Sequence, residues 1–493
     1  MKSLAALVLV TTAIIILHSG GTDSGTPPAQ LPQVVVDSDY YDGGSPSSAK
    51  VELGRMLFFD KILSGNRNIA CATCHHPDLG TTDGLALGLG EGLRGLGPER
   101  RAGSDKAAGV HGRVPRNSPA LFNLGAKEFT RLFHDGRVET DPDGLYEGGF
   151  ITPARWRLPR GLDNVLAAQA MLPVGAPVEM AGQKGENSIA DAVSLGNLAR
   201  SGGVWEELGK RLRDIPEYVE LFKSAFPGRV TGATDVNYVL AANAIAAFET
   251  SAFRADDSPF DRYQRGETGA LSRNAERGAN LFYGRAGCRS CHSGKFQTDH
   301  EFHAIGMPQI GPGKSDNGDT DYWAVTGERA FPEDLGRGRV SERPEDDYKF
   351  RTPSLRNVAI TGPWGHDGAY QTLADVVRHH ADPVTALEAY ELDGSLLPPL
   401  DGVLELTAVG SKLTQSWLNQ HRLRAFLMRD DWVQTRTALR GRIAAANELA
   451  PLSLSDQDID DIVAFLESLT DPSAQSLAHL VPRRVPSGLP VAN

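Results

Sequence analysis

Strand-forming runs are sparse in this 493-residue chain, no apolar stretch is long enough for a membrane span, and cysteine occurs only four times. The first shortage points to a mainly α fold with much loop. The second concerns one run, Leu4 to Leu17, broken only by Thr11 and Thr12, whose fourteen residues fall short of the roughly 20 that a spanning helix needs. Basic side chains are also in deficit, 50 Lys and Arg against 62 Asp and Glu, and the formal charge of −12 argues against nucleic acid or an anionic membrane as partner. A chain of this length should hold two or three domains with ample core.

What is present is concentrated in two words. All four cysteines fall in Cys71-Ala72-Thr73-Cys74-His75 and Cys288-Arg289-Ser290-Cys291-His292, each a C-x-x-C-H. Two thiols at this spacing can bond covalently to the two vinyl-derived carbons of one porphyrin while the next residue turns its imidazole onto the iron, so two covalently bound haem c groups are expected. A four-cysteine zinc site is disfavoured because its pairs usually lie far closer in sequence and lack a following His. A thioredoxin-like redox pair is disfavoured because neither motif has a β-α-β context. With every cysteine assigned to haem, no disulfide framework is left.

The N-terminus agrees with covalent haem. Lys2, the apolar run and then His18-Ser19-Gly20-Gly21 read as a secretory signal over residues 1–20, with an uncleaved anchor as the alternative. Export and C-x-x-C-H together place the protein in the bacterial periplasm. Residues 21–45 are expected to be a flexible linker. Glycine is high at 53 residues, and several cluster in Gly84–Gly112, a stretch with neither helical nor alternating period, read as a long loop beside the first haem.

A weak internal repeat divides the rest. Glu52-Leu53-Gly54-Arg55-Met56-Leu57-Phe58 and Glu276-Arg277-Gly278-Ala279-Asn280-Leu281-Phe282 both fit E-x-G-x-x-L-F ahead of a haem motif. Each predicts a helix capped by serine, Ser48 and Ser272, with its Leu and Phe facing haem. Ser455 and Asp458 open an amphipathic helix from Ile459 to Leu466, and Asp235–Ala252 and Leu373–His380 also read as helical.

At this point the chain resembles the bacterial dihaem cytochrome c peroxidases and their MauG-like relatives. The resemblance runs from about Leu53 to Leu469 and rests on Leu57-Phe58-Phe59-Asp60 before Cys71, Pro115-Arg116-Asn117-Ser118-Pro119, His134-Asp135-Gly136-Arg137, Pro177-Val178-Glu179-Met180, Phe302-His303-Ala304-Ile305-Gly306, Arg351–Asn357 and Gly365-His366-Asp367-Gly368. It implies two cytochrome c-like haem domains with long loops and few short strands. They are a peroxidatic one at 46–262, with an insertion at about 138–161, and an electron-transfer one at 263–472, followed by a tail at 473–493.

Carried over residue by residue, the resemblance implies that His75 and His292 are the proximal iron ligands. His111 is the loop histidine placed to cap the first iron in the resting state, with a solvated loop residue as its plain alternative; MauG-like enzymes keep that iron open. Glu179 matches the distal carboxylate, which can relay a proton during peroxide cleavage and is expected to be buried beside Pro177, Val178 and Met180, and Gln169 matches the distal amide. Nineteen residues after the threonine of Thr361-Gly362-Pro363, where the classical peroxidases have methionine and MauG tyrosine, stands His380. Such an imidazole in place of a thioether lowers the haem potential. His379 and Met307 are the alternatives. His134 stands where the classical peroxidases have a relay tryptophan, leaving Trp156 and Trp364 as candidates for that task. A calcium ion is implied, held by the Asn117 side chain and the carbonyls of Thr361 and Pro363.

The implied function is a peroxidase reducing hydrogen peroxide with electrons from a small cytochrome c or cupredoxin, for which the acidic surface is suited. A MauG-like oxidase that modifies a partner protein is the second reading and a plain electron carrier the third, against which Glu179 argues. The assembly is left between monomer and homodimer.

Overall fold

The computed structural model describes residues 31–102, 113–311, 333–397, 430–431 and 433–491. Among these the chain is mainly helical, and its strands form only three small antiparallel sheets. Six helices position the site: α1 (Ser48–Phe59), α2 (Val165–Ala170), α3 (Tyr238–Ala252), α4 (Arg273–Tyr283), α5 (Leu373–Ala381) and α6 (Asp456–Glu467).

Their starts follow local chemistry. Ser272 accepts the Ala275 N–H, and Ser455 and Asp458 close a reciprocal box at the head of α6. The expected cap of α1 is displaced by one residue: Ser47, not Ser48, accepts from Lys50. Likewise α3 begins at Tyr238 rather than Asp235, because Asn237 takes the capping bond from Leu240 and Ala233–Asp235 form a tighter turn before it.

The internal repeat marks two equivalent helix crossings. A Cβ on Gly54 would lie 1.9 Å from the Ala244 carbonyl oxygen and 2.8 Å from the Phe248 Cβ, so α1 and α3 touch backbone to backbone there. A Cβ on Gly278 would lie 1.8 Å from the Asp461 oxygen and 2.9 Å from the Phe465 Cβ, the same contact between α4 and α6. Glycine is the only residue that permits such an approach. Each crossing anchors one hydrophobic core. The first gathers Leu57, Phe58, Phe248 and Phe253, and the second Phe260, Phe282, Phe465 and Leu466. Of the residues expected to face haem, Phe58 and Phe282 do line the central cavity, whereas Leu57 is buried in the first core and Leu281 packs beside the second.

Two expectations about the ends need correction. From Leu31 onward the supposed flexible linker is part of the fold: Tyr40 is fully buried with its ring against Phe296, and Asp39 pairs with Lys295 at 2.7 Å. The tail also packs, returning across the first core through Ala474, Leu477 and Val485, with Ser487 Oγ donating to Asp60 at 2.6 Å. Both stretches carry apolar side chains that only a distant part of the chain can cover. The signal and His111 lie outside the described residues.

The glycine-rich stretch is a loop only in part. Leu93–Arg94 pairs with Arg101–Ala102, and Leu85, Ala86, Leu87 and Leu89 are buried. Within the insertion, Val138–Thr140 and Phe150–Ile151 form two strands of a three-stranded sheet with Arg131–Leu132. The halves meet through buried charge: Arg116 of the first makes a bidentate pair with Asp334 of the second at 2.6 and 2.9 Å.

The glycine crossings generate a test. Gly278→Ala should destabilise the second core by about 1–3 kcal/mol through overpacking. Gly441→Ala, in a helix where an added Cβ meets nothing within 4 Å, should be neutral or stabilise by up to ~1 kcal/mol. Denaturant unfolding of the two variants beside the parent checks both signs.

Candidate functional site

Both C-x-x-C-H motifs open onto one continuous cavity of about 730 Å³. Cys71–Cys74 form a single helical turn with His75 at its end, and Cys288–Ser290 a tighter turn leading to Cys291 and His292. The two histidines are held alike. His75 Nδ1 donates to the Thr81 carbonyl at 3.1 Å and His292 Nδ1 to the Gln297 carbonyl at 3.1 Å. Thr81 and Gln297 both adopt positive φ, 60° and 47°, which is costly for such residues and aims each carbonyl at its imidazole. With Nδ1 occupied, each Nε2 is left as a lone pair, the form a metal needs. Burial lowers the pKa of both rings, and with the neighbouring His380 it takes His292 down to about 4.

Facing His292 across the cavity is His380, on the last turn of α5. Its Nδ1 donates to the Val376 carbonyl at 2.8 Å, again leaving Nε2 unprotonated. The His292 and His380 ring centres lie 6.5 Å apart. Two metal–imidazole bonds of about 2 Å each, plus roughly the distance from each nitrogen to its ring centre, add to about the same length. The pair therefore fits a metal held between two imidazoles. His379 has no free nitrogen: Nε2 donates to the Ile305 carbonyl at 2.8 Å and Nδ1 accepts from the Tyr370 hydroxyl at 2.9 Å. Met307 lines the cavity as well.

Glu179 and Gln169 line the same cavity, and the Glu179 charge acts on Cys74 of the first motif. Gln169 comes from α2, capped by Asn164. Glu179 projects from a wide π-type turn, Pro177–Ala181, a rare conformation that recurs at functional sites. Glu179 is half-buried, flanked by the buried Val178 and Met180. The glycine-rich stretch explains its setting, since a Cβ on Gly90 would lie 2.8 Å from the Glu179 Cα. Only glycine lets that loop press on the turn.

Asn117, Thr361 and Pro363 line the same cavity. The Asn117 amide nitrogen donates to the Leu85 carbonyl at 2.8 Å, which leaves its side-chain oxygen as the group that can face a cation. The three offer only oxygens, a donor set that suits a hard ion.

The cavity wall also carries a polar cluster that brings together several of the sequence words. Arg116 lies 2.7 Å from Asp135 and 2.6 Å from Asp334, and the carboxylates hold its guanidinium above its ordinary range. His134 Nε2 donates to the Asn117 carbonyl at 3.2 Å, and burial beside Arg116 takes its pKa down to about 3. The His366 ring stacks on Phe350, centres 3.8 Å apart and planes 17° from parallel. Trp364 reaches the cavity, its indole N–H on the Val358 carbonyl at 2.9 Å. Trp156 does not: it is 66% exposed under Arg157, which removes it as a relay.

Comparison with known proteins agrees with this geometry. A family model described as di-haem cytochrome c peroxidase matches residues 48–269. The methylamine utilization protein MauG of Methylorubrum extorquens is 31% identical, over 67% of this chain and 68% of that protein. Cytochrome-c peroxidase IdrP1 of Denitromonas iodatirespirans is 30% identical, over 77% and 84%. Cytochrome c551 peroxidase of Pseudomonas aeruginosa is 29% identical, over 68% and 72%. Two solved structures share the fold: a MauG-like protein associated with microbial copper homeostasis (TM-score 0.51, 23% identity, 92% of this chain and 96% of that one) and the diheme peroxidase BthA of Burkholderia thailandensis (0.52, 21%, 95% and 97%). With two C-x-x-C-H turns on one cavity and relatives at this level over most of its length, the chain belongs to the di-haem cytochrome c peroxidase and MauG family, oxidoreductases carrying two c-type haems.

Proposed function

We propose that this protein reduces hydrogen peroxide to water in the periplasm, with electrons from a small cytochrome c or cupredoxin that enter at the Cys288–His292 site and pass to the Cys71–His75 site. The observation that carries the reading is Glu179, set on its π-type turn in the wall of the first site beside Gln169. A plain electron carrier has no use for a carboxyl there. The periplasmic assignment rests on the C-x-x-C-H words and the apolar N-terminal run, and no helix among the described residues is long and apolar enough to cross a membrane.

The chain's own groups divide the work. Haem c at each motif supplies a redox-active iron, the first open to peroxide and the second storing an electron. His75 and His292 would hold the irons through Nε2, and His380 would offer the second iron a further imidazole nitrogen. Glu179 moves a proton from one peroxide oxygen to the other, so that the O–O bond breaks with water as the leaving group, while Gln169 orients the peroxide by hydrogen bonding. Overall two electrons and two protons convert one peroxide to two waters. Asn117, Thr361 and Pro363 hold calcium where the halves meet, tying the first pocket to the segment that leads into α5.

A second reading has its own support in the 31% identity to MauG and in His134, which leaves no tryptophan at that point between the sites. On it, the same oxidising power would be spent on a residue of a partner protein. Turnover of peroxide with reduced cytochrome c on the purified holoprotein separates the two, since sustained donor oxidation belongs to the first.

Glu179→Gln keeps size and hydrogen bonding but removes the titratable proton. It should bind both haems normally and lose on the order of 10²–10⁴ in the single-turnover reaction with peroxide. A parental rate would make Glu179 structural. For the second site, His380→Met should raise the potential and bring in the near-infrared band of methionine-ligated ferric haem. A parent that already shows that band would shift the ligand to Met307, and a variant spectrum identical to that of a band-free parent would remove His380 as the ligand.

A further inference from the structure

Glu249 takes no part in the scheme above, yet it lies in the wall of the first haem site. It is on α3, 5% exposed, and lines the cavity together with Ile245 one turn earlier and with Cys71. Its Oε2 is buried and meets no hydrogen-bond partner. An ionised carboxylate without a partner in apolar surroundings is strongly disfavoured, so the group is held as the neutral acid.

The neighbouring elements offer it no counter-charge. From α1 the cavity wall receives Phe58, while Lys50 pairs with Asp163 and Arg55 with Glu52. From α2 comes the uncharged Gln169. On the helix Val204–Arg213, Lys210 pairs with Glu207, and Arg213 is committed to the Val236 carbonyl. The turn Tyr41–Gly44 brings Tyr41 and the exposed Asp42. On α3 itself Tyr238 donates to the Ala170 carbonyl, and beyond its end Arg254 pairs with Asp256. Cys71 ceases to titrate once it is a thioether. Burial alone therefore pushes the Glu249 carboxyl up to about 8, with no neighbouring charge contributing.

We propose that Glu249 is the proton site linked to the oxidation state of the first haem. At alkaline pH, where the carboxyl is ionised while the first haem is oxidised, the donor's electron draws a proton from solvent onto the Glu249 carboxylate, and the proton is released when the electron leaves. Each one-electron step thus leaves the charge of the buried pocket unchanged. The inference rests on haem c at Cys71–His75 and not on peroxide chemistry, so it can fail or stand independently of that reading.

Spectroelectrochemical titration of the purified di-haem protein from neutral to alkaline pH tests it. The reduction equilibrium of the first haem should weaken with rising pH, by up to roughly tenfold per pH unit, because a negative Glu249 favours the oxidised form. Glu249→Gln, a neutral isostere of the acid, should abolish that step, stay at the low-pH value and leave the second haem's profile alone. Redox-difference infrared spectra of the parent, which need no variant, should show a protonated-carboxyl stretch that responds to reduction of the first haem and fades as pH rises. A pH step of equal size in Glu249→Gln at unchanged haem content would give the proton to another group, such as a haem propionate, and overturn the proposal. A parent with no pH step would overturn it as well.

Discussion

Each half of this protein depends on one hydrogen bond, from the Nδ1 of a histidine to a carbonyl carried by a residue with positive φ. For His75 the acceptor is Thr81, and for His292 it is Gln297. The bond selects the tautomer, fixes the ring plane and leaves Nε2 bare. All other parts of the two sites are placed relative to those nitrogens. The strained acceptors persist because the surrounding core over-determines them: Thr81 and Gln297 are fully buried. A second-sphere detail thus governs the chemistry more directly than the covalent anchors, which secure a porphyrin without orienting its ligand.

The halves are then locked by charge. Arg116 is buried between Asp135 and Asp334, and removing the guanidinium would leave both carboxylates short of a counter-charge at a cost of several kcal/mol. A pair of this kind contributes less to stability than to register, because only one relative placement of the halves satisfies the guanidinium. That register carries Asn117, next to Arg116, to the wall that Thr361 and Pro363 also line. The same cluster sets the character of the space between the motifs. His134 and His366 sit beside a fixed cation and are kept neutral by burial, with pKa values of about 3 and about 4.

Much of this was legible in the sequence because it is local. A C-x-x-C-H needs one helical turn, Ser455 and Asp458 close a box within four residues, and the repeat glycines hold the same place in the two E-x-G-x-x-L-F words. His380 was reached by counting along one segment, and the ring separation of 6.5 Å to His292 suits it. What stayed hidden depends on contacts between distant parts of the chain. Residues 31–45 look like a linker until Phe296 covers Tyr40, and the tail looks free until Asp60 receives Ser487. Trp156 looked like a relay because the pattern of an insertion cannot say which way it faces. Glu249 was invisible for a related reason: on a helix as apolar as α3 a single glutamate reads as an interruption, and only packing reveals that it faces inward.

Taken together, the sites share an electrostatic rule. The titratable groups along the cavity whose pKa values shift are moved toward neutrality: His75, His292 and His380 downward, Glu249 upward. Fixed charge on the wall sits on arginines: Arg116 between Asp135 and Asp334, Arg137 on Asp135, Arg356 on Asp261, and Arg351 on backbone carbonyls. A pocket so arranged resists any change in net charge, since the low dielectric that keeps an imidazole unprotonated also penalises an uncompensated electron. Electron transfer through it must therefore be matched by proton movement at a group already poised to titrate. Among the buried carboxyls of the first site, Glu249 has an oxygen unpartnered and no neighbouring charge acting on it. The apolar character that builds the haem site thus also creates the need for a proton site within it.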